Sequence, residues 1–311
     1  LINATARRIT FTGGGSEANN LAIKGVAFAN TNGKNHIITT TIEHPSVLNT
    51  CRWLEEHGFS VTYLPVDGEG VVSPDHLRAA ISDQTCLISV MMANNETGTL
   101  QPIPELAAIA KEQGICFHTD GVQAAGKILI NVDKLGVDLL TISAHKLHGP
   151  KGIGALFARK GVELNPLITG GGQEKGLRAG TENVMGMCGF GKAAELAFEH
   201  LPDMDHVKER RDRLERGIRA LIPEAKMNGH RDQRLPNTLS MTFPAMRGES
   251  LVLALDQRGV ALSSGSACHA GMPEPSHVLL AMGLSAEEAH CALRFSLGRE
   301  NTDCLLYTSD A

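Results

Sequence analysis

Residues 8–20 read Arg-Ile-Thr-Phe-Thr-Gly-Gly-Gly-Ser-Glu-Ala-Asn-Asn. A β-rich run ends in three glycines and passes straight into a helical pattern. Glycines let a backbone close around an anion, and a helix N-terminus adds free N–H groups and a favourable dipole. Gly15 leads into the helix and Ser16 can add a hydroxyl. The unit therefore reads as a phosphate cradle at the end of a strand in an α/β sheet. It also scans as G-x-G-x-x-A, but the dinucleotide fingerprint wants an acid about 20 positions on. Residues 33–41, Gly-Lys-Asn-His-Ile-Ile-Thr-Thr-Thr, hold none. The plain alternative is a strand-to-helix turn capped by its serine.

The same strand-then-helix order continues outward. Strands are expected at 8–12, 36–40, 60–65, 86–92, 116–120, 139–143 and 154–158, with helices near 16–30, 45–56, 74–81 and 103–113. This alternation predicts an α/β fold with a mostly parallel central sheet flanked by helices. Ligands of such sheets bind outside the carboxyl ends of the strands. Polar clusters at 13–16, 43–44, 94–96, 120–123 and 145–146 fall at those ends. The character changes near Pro202, where a charged helix over 203–221 begins. Strands at 238–243, 260–263 and 293–296 and helices at 248–258, 275–282 and 286–292 then predict a smaller α+β domain. The expected organisation is a large domain over 1–201, a small C-terminal domain over 202–302 and a non-native tail over 303–311. The tail, Asp-Cys-Leu-Leu-Tyr-Thr-Ser-Asp-Ala, resembles translated sequencing-adapter sequence. The chain opens without Met, on what reads as the end of a helix over 1–8.

Composition bounds the class. Of 311 residues, 42% are hydrophobic and 20% charged, an ordinary globular balance. The formal net charge is −5 and no long basic run exists, which gives a nucleic-acid surface no support. No apolar stretch approaches the roughly 20 residues needed to span a bilayer, and no signal peptide is evident. Seven scattered cysteines with no C-x-x-C pair argue for reduced thiols in the cytoplasm, not a disulfide framework or a zinc knuckle. Cys51, Cys86, Cys116, Cys188 and Cys291 lie in apolar or helical contexts and read as buried filler. No metal site is expected, because His118, His145 and His148 form no usual ligand spacing.

Four further stretches carry chemistry. His118-Thr-Asp-Gly-Val-Gln123 ends a strand. Asp120 there can hold a protonated ring nitrogen by a charge-assisted bond, and Gln123 can bond a ring hydroxyl; the alternative is a solvated loop aspartate. Ser143-Ala-His-Lys-Leu-His-Gly-Pro-Lys-Gly152 also ends a strand. Lys146, if burial and a cofactor cation lower its pKa, can form a Schiff base with an aldehyde; otherwise it is a loop lysine. Ser143 and His145 are phosphate candidates. A phosphate loop, then an Asp, then a Lys is the order expected of a pyridoxal phosphate (PLP) enzyme of fold type I. Cys268 sits in Leu262-Ser-Ser-Gly-Ser-Ala-Cys-His-Ala-Gly271, on small residues that suit an accessible thiolate nucleophile. His269 adjoins it. Arg294, in Leu-Arg-Phe-Ser-Leu-Gly-Arg299, has a planar fork suited to a carboxylate, and is otherwise a surface strand arginine.

Taken together the chain resembles the cysteine desulfurase family (NifS/IscS type), relatives of class V aminotransferases. The resemblance spans residues 5–300. It rests on TGGGSEANN, TIEHPSV, MMANNETG, HTDGVQAAGK, SAHKLHGPKGIG, GGGQEKGLRAGTEN, LSSGSACHAGMPEPSHVL and LRFSLGR, in that order. It implies that Lys146 is the Schiff-base lysine, that Asp120 holds the pyridine nitrogen and that Gln123 holds the ring hydroxyl. His44 would stack on the ring and assist proton transfers. Gly15, Ser16, Ser143 and His145 would bind phosphate, with Thr181 donated by a second subunit, so a homodimer is implied. Asn95 and Arg294 would hold the substrate carboxylate, and Cys268 would be the nucleophile.

The implied reaction converts L-cysteine to L-alanine. The substrate takes the place of Lys146 on the cofactor, Lys146 receives its α-proton, and the Cys268 thiolate takes its sulfur as a persulfide. The sulfur then passes to a scaffold or carrier protein, for iron–sulfur clusters or another acceptor. The family's amino-terminal loop and first helices, and its carboxyl-terminal helix, are expected to lie outside this sequence. Ala-Cys-His is less usual than Ala-Cys-Thr and resembles selenocysteine lyase, so L-selenocysteine stays open as substrate. A non-catalytic fragment acting as an interaction protein is the alternative of another class.

Overall fold

A computed structural model describes residues 1–244, 246–264 and 274–303. Cys268, His269 and residues 304–311 of the expected tail lie outside the described residues. The chain divides into two compact units. The first comprises Leu1–Pro65, Val72–Ala93 and Gln101–Leu201; the second comprises Val66–Val71, Asn94–Leu100 and the chain from Pro202 onward.

The first unit follows the alternation in the sequence. Its elements are β1 (Ile9–Thr12), α1 (Gly15–Ala29), β2 (His36–Thr40), α2 (Pro45–Glu55), β3 (Ser60–Leu64), α3 (Pro74–Ala80), β4 (Thr85–Ser89), α4 (Ile103–Glu112), β5 (Cys116–Asp120), α5 (Val132–Leu135), β6 (Leu139–Ser143), β7 (Gly154–Ala158) and α6 (Val184–Glu199). Among the described residues the strands form one seven-stranded sheet in the order β1-β7-β6-β5-β4-β2-β3. β2, β4 and β6 are buried along their whole length, as strands covered on both faces must be. α1 buries Leu21, Ala22, Ile23 and Val26 over this sheet, against Ile37, Leu87, Leu139 and Leu156. Burial of a large aliphatic side chain contributes about 1.5–3 kcal/mol, so this cluster stabilises the unit substantially.

The helix starts are written locally. Pro74 follows Ser73, whose side chain accepts from Asp75 N, and Asn183 accepts from Gly186 N at the head of α6. Proline has no N–H to lose at a first turn, and Ser or Asn satisfies one orphan donor.

The sheet is mostly parallel, with one departure. β7 runs antiparallel to both β6 and β1, while β6, β5, β4, β2 and β3 pair in parallel. The link from β6 to β7 is a 3₁₀ turn over Ala144–Leu147 and a Gly-Pro-Lys-Gly loop. A link without a crossover helix can only return the chain antiparallel. Three elements had no clear sequence signal: α5, α6, and a short strand in the second unit. The expected helix end over 1–8 is only a 3₁₀ turn at Ala6–Arg8.

The second unit holds α7 (Met204–Leu221), β8 (Lys226–Asn228), β9 (Thr238–Thr242), α8 (Gly248–Asp256), β10 (Ser263–Ser264), α9 (His277–Ala281), α10 (Ala286–His290) and β11 (Ala292–Ser296). Among the described residues its sheet runs β10-β11-β9-β8. Leu239, Met241 and Leu293 pack there with Ala225 and Phe243. α7 is not charged on the outside only. Arg211 is buried and donates to Leu235 O at 2.6 Å, and Glu215 accepts from Arg234 Nη2. A buried charge needs such partners to offset its desolvation.

Candidate active site

The first unit gathers most of the expected residues at the carboxyl ends of its strands. The three-glycine turn after β1 delivers Gly15 to the start of α1, and no side chain caps that helix. A Cβ on Gly15 would stand 3.1 Å from Val122 Cγ2 and 3.4 Å from Ser143 Cβ, so a side chain there would crowd both. On β7, a Cβ on Gly154 would meet the Gly14 backbone at 2.5 Å, so only glycine permits that approach. Ser143 closes β6, and its Oγ lies 2.8 Å from His145 Nδ1. Gly15, Ser143 and His145 thus share one rim, with Ser16 exposed on the open first turn of α1.

Asp120 closes β5. It is 6% exposed, and both its oxygens accept hydrogen bonds, from Asn19 Nδ2 at 2.7 Å and Val122 N at 2.9 Å. Burial pushes its pKa up, while Asn19, Val122 and His44 pull the other way. His44 is half-buried just after β2 and caps α2. Burial holds its pKa down, Asp120 raises it and Lys146 lowers it further. His44 therefore lies in the fields of both Asp120 and Lys146. Lys146 is exposed on the turn after β6, so it lacks the burial that would favour a neutral Schiff-base lysine in a closed pocket. Gln123 has its Oε1 turned to Lys127 Nζ, 3.2 Å away.

Thr181 is exposed in the loop ahead of α6. That loop is pinned beside the cradle, because Arg178 Nε bonds Glu17 Oε1 at 2.9 Å and Glu17 Oε2 accepts from Gly13 N. α6 itself corrects one expectation. Cys188 is exposed, not buried. The helix is apolar on more than one face, with Val184, Met185 and Phe198 also exposed. The thiols of Cys51 and Cys86 are pushed up by burial to about 12 and about 11, which makes them poor nucleophiles. His118, bonded to Ser89 Oγ and Thr141 Oγ1 and fully buried, is pushed down to about 3 and is a neutral core residue.

The second unit joins Asn95 and Arg294. Arg294 Nη1 donates to Asn95 O at 2.9 Å and Nη2 to Ser263 Oγ at 3.3 Å, while its buried Nε has no hydrogen-bond partner among the described residues. Next to Asn95, buried Glu96 accepts a short hydrogen bond from Ser276 Oγ. Burial pushes the Glu96 carboxyl up to about 7, against Ser276 and Arg294. Ser263 and Ser276 flank the segment that carries Cys268.

Sequence reasoning gave no role to Asn19 or Ser46, and marked Glu43 and Glu96 only as members of strand-end polar clusters. Asn19 had a signal, since it lies one helical turn beyond Gly15, on the same face. Glu43 had none beyond its cluster. It is 0% exposed, accepts from Thr40 Oγ1 and Met91 N at 2.8 Å each, and burial pushes it up to about 8.

A family model described as aminotransferase class-V matches residues 1–304. Cysteine desulfurase IscS of Clostridium botulinum strain Hall is 53% identical over 305 residues, covering 97% of this chain and 77% of the relative. The chain belongs to the class-V aminotransferases, and within them to the cysteine desulfurase family. Cysteine desulfurase IscS of Methanosarcina thermophila is 54% identical over 302 residues, covering 97% of this chain and 74% of the relative. A solved NifS-like protein superposes with a TM-score of 0.92 at 40% identity, covering 99% of this chain and 82% of the other. SspA in complex with cysteine matches with a TM-score of 0.80 at 41% identity, over 96% and 84%. The chain is thus an enzyme with the fold type I architecture that its motifs predicted, and the family implies a PLP cofactor.

Proposed function

We propose that this cysteine desulfurase holds PLP in its first unit and uses it to move the sulfur of L-cysteine to Cys268, leaving L-alanine. The observation that carries the reading is the Asp120 carboxylate, buried and doubly hydrogen-bonded at the mouth of a glycine cradle. A buried acceptor in that state fits a cationic ring nitrogen. Asp120 would hold that nitrogen, Gln123 the ring hydroxyl, and Gly15, Ser16, Ser143 and His145 the phosphate, while Lys146 would hold the aldehyde. When bound, the cofactor supplies an electron sink for negative charge at the substrate α-carbon.

The chain's own residues do the rest. Asn95 and Arg294 bind the substrate carboxylate, and the planar Arg294 fork orients it. Lys146 takes the α-proton as a base. Cys268, as a thiolate, attacks the substrate sulfur. One S–S bond forms and one C–S bond breaks, and the electron pair of that bond stays with carbon. Protonation of that carbon completes alanine, so cysteine plus thiol gives alanine plus persulfide with no outside oxidant. The persulfide sulfur then goes to a scaffold or carrier protein, with iron–sulfur assembly as the pathway that the relatives' names suggest. Thr181 and the exposed Val184 and Met185 of α6, the latter 87% exposed, support a homodimer that completes the phosphate site. Reduced thiols favour the cytoplasm.

The test is the reconstituted protein given L-cysteine. It forms alanine, and Lys146→Ala removes both the visible band of lysine-bound cofactor and about 10²–10⁴-fold of the rate. Alanine formation that survives this substitution undamaged contradicts the reading. A strong preference for L-selenocysteine over L-cysteine would turn it toward the selenocysteine lyase alternative.

A further inference from the structure

Four side chains of the first unit form one hydrogen-bond chain: Asp120, Asn19, Ser46 and His44. The direction of each bond is fixed from its two ends. Asp120 Oδ1 accepts from Val122 N at 2.9 Å, and Oδ2 faces the Asn19 amide at 2.7 Å. An ionised carboxylate only accepts, so the amide nitrogen of Asn19 must be the group that faces it. The same Nδ2 donates to Ser46 Oγ at 2.9 Å. At the far end, Ser46 N lies 3.1 Å from His44 Nδ1. A backbone N–H can only donate, so Nδ1 presents a lone pair and carries no proton. Ser46 Oγ lies 2.8 Å from the same Nδ1. Already accepting from Asn19, it has its own hydrogen to give. Both donors of Ser46 converge on Nδ1, and the ring proton is left on Nε2.

We propose that Asn19 and Ser46 are positioning residues that lock His44 as its Nε2–H tautomer and tie its ring to Asp120. The ring then meets a bound ligand with a donor, not a lone pair. For His44 to act as a base, Nε2 would first have to give up its proton, so abstraction of the α-proton belongs to Lys146. His44 is left to donate. The charged groups acting on the ring from neighbouring elements are Asp120, at the end of β5, and Lys146, on the turn after β6. Burial lowers the ring's pKa between them. Protonation at Nδ1 would also set the ring against Ser46 N–H and break the cap of α2. Asn19 Oδ1 is buried with no hydrogen-bond partner among the described residues, so within them this amide is held by its donors alone. Such an orphan costs stability, and it is tolerated where both amide donations feed the same chain of contacts.

The proposal rests on the desulfurase reading only for what His44 donates to; the tautomer is a property of the chain itself. The test is histidine ¹⁵N–¹H correlation spectroscopy of the full chain, with and without PLP, with His44 assigned by its loss in His44→Asn. Wild type should show protonated Nε2, unprotonated Nδ1 and a titration midpoint below the ordinary imidazole value. Ser46→Ala removes the hydroxyl donor that favours the neutral ring, so the midpoint should rise. Ser46→Thr keeps the hydroxyl and should restore it, and Asn19→Ala should shift it upward like Ser46→Ala. A proton on Nδ1 in wild type, or a midpoint that Ser46→Ala leaves unmoved, overturns the proposal. Alanine formation from L-cysteine, measured on the same samples, reports on the desulfurase reading separately.

Discussion

Glu43 shows how one buried side chain can set a pH dependence. Its carboxyl is enclosed, held by Thr40 and Met91, and titrates at about 8 where a free glutamate would titrate near 4.5. The folded state keeps the proton between those two values and the unfolded chain does not. By linkage, stability therefore falls as pH rises through that window. Glu43→Gln keeps an acceptor for both donors and removes the titration. The variant should gain on wild type between pH 5 and pH 8, by about a few kcal/mol at most. Thermal midpoints of both proteins at the two pH values check this; parallel curves contradict it. Nothing in Thr-Ile-Glu-His announces a neutral acid. The motif marked His44, whereas the state of its neighbour depends on burial within the fold and on Asp120, distant in sequence, against the opposing Met91 N–H.

At the scale of elements, the stem of the Cys268 segment is tied on both sides. Ser276 Oγ accepts from Leu279 N as the cap of α9 and donates to Glu96, while Ser263 accepts from Arg294. Ser276→Ala should lower stability by about 1 kcal/mol for the lost cap, and somewhat more for the stranded Glu96 acceptor. Glu96→Gln, which keeps an acceptor for the serine, should stay near wild type. Urea unfolding midpoints distinguish the two, and equal losses would contradict the clamp. The helix itself was legible from its apolar run and its serine. The clamp was not, because Glu96 and Ser276 are 180 residues apart. The reversal of β7 was missed for a related reason. Periodicity marks a strand, but its direction follows from the link before it, and the Ala144–Leu147 turn leaves no room for a crossover.

Across the whole molecule, α/β alternation and the strand-end clusters carried the fold and the first unit's site a long way. Gly15, Ser143, His145, His44, Asp120 and Lys146 fall where the strands end, as open α/β sheets require. What stayed hidden was the layer around them: Ser46 and Glu43 act through contacts that no spacing encodes, as does Glu96 in the second unit, while Asn19 only shares a helix face with Gly15. The assignment of segments to units was hidden too, since Val66–Val71 and Asn94–Leu100 group with residues beyond Pro202. The proposed function has sulfur leave L-cysteine and arrive on Cys268. The most direct test is to react the PLP-loaded protein with L-cysteine, quantify alanine, and read the mass of the peptide carrying Cys268 without reduction. The account predicts one added sulfur on Cys268 for each first-turnover alanine, and loss of sulfur transfer in Cys268→Ala. Sulfur transfer that persists in Cys268→Ala, or no alanine from the loaded wild-type protein, would contradict it.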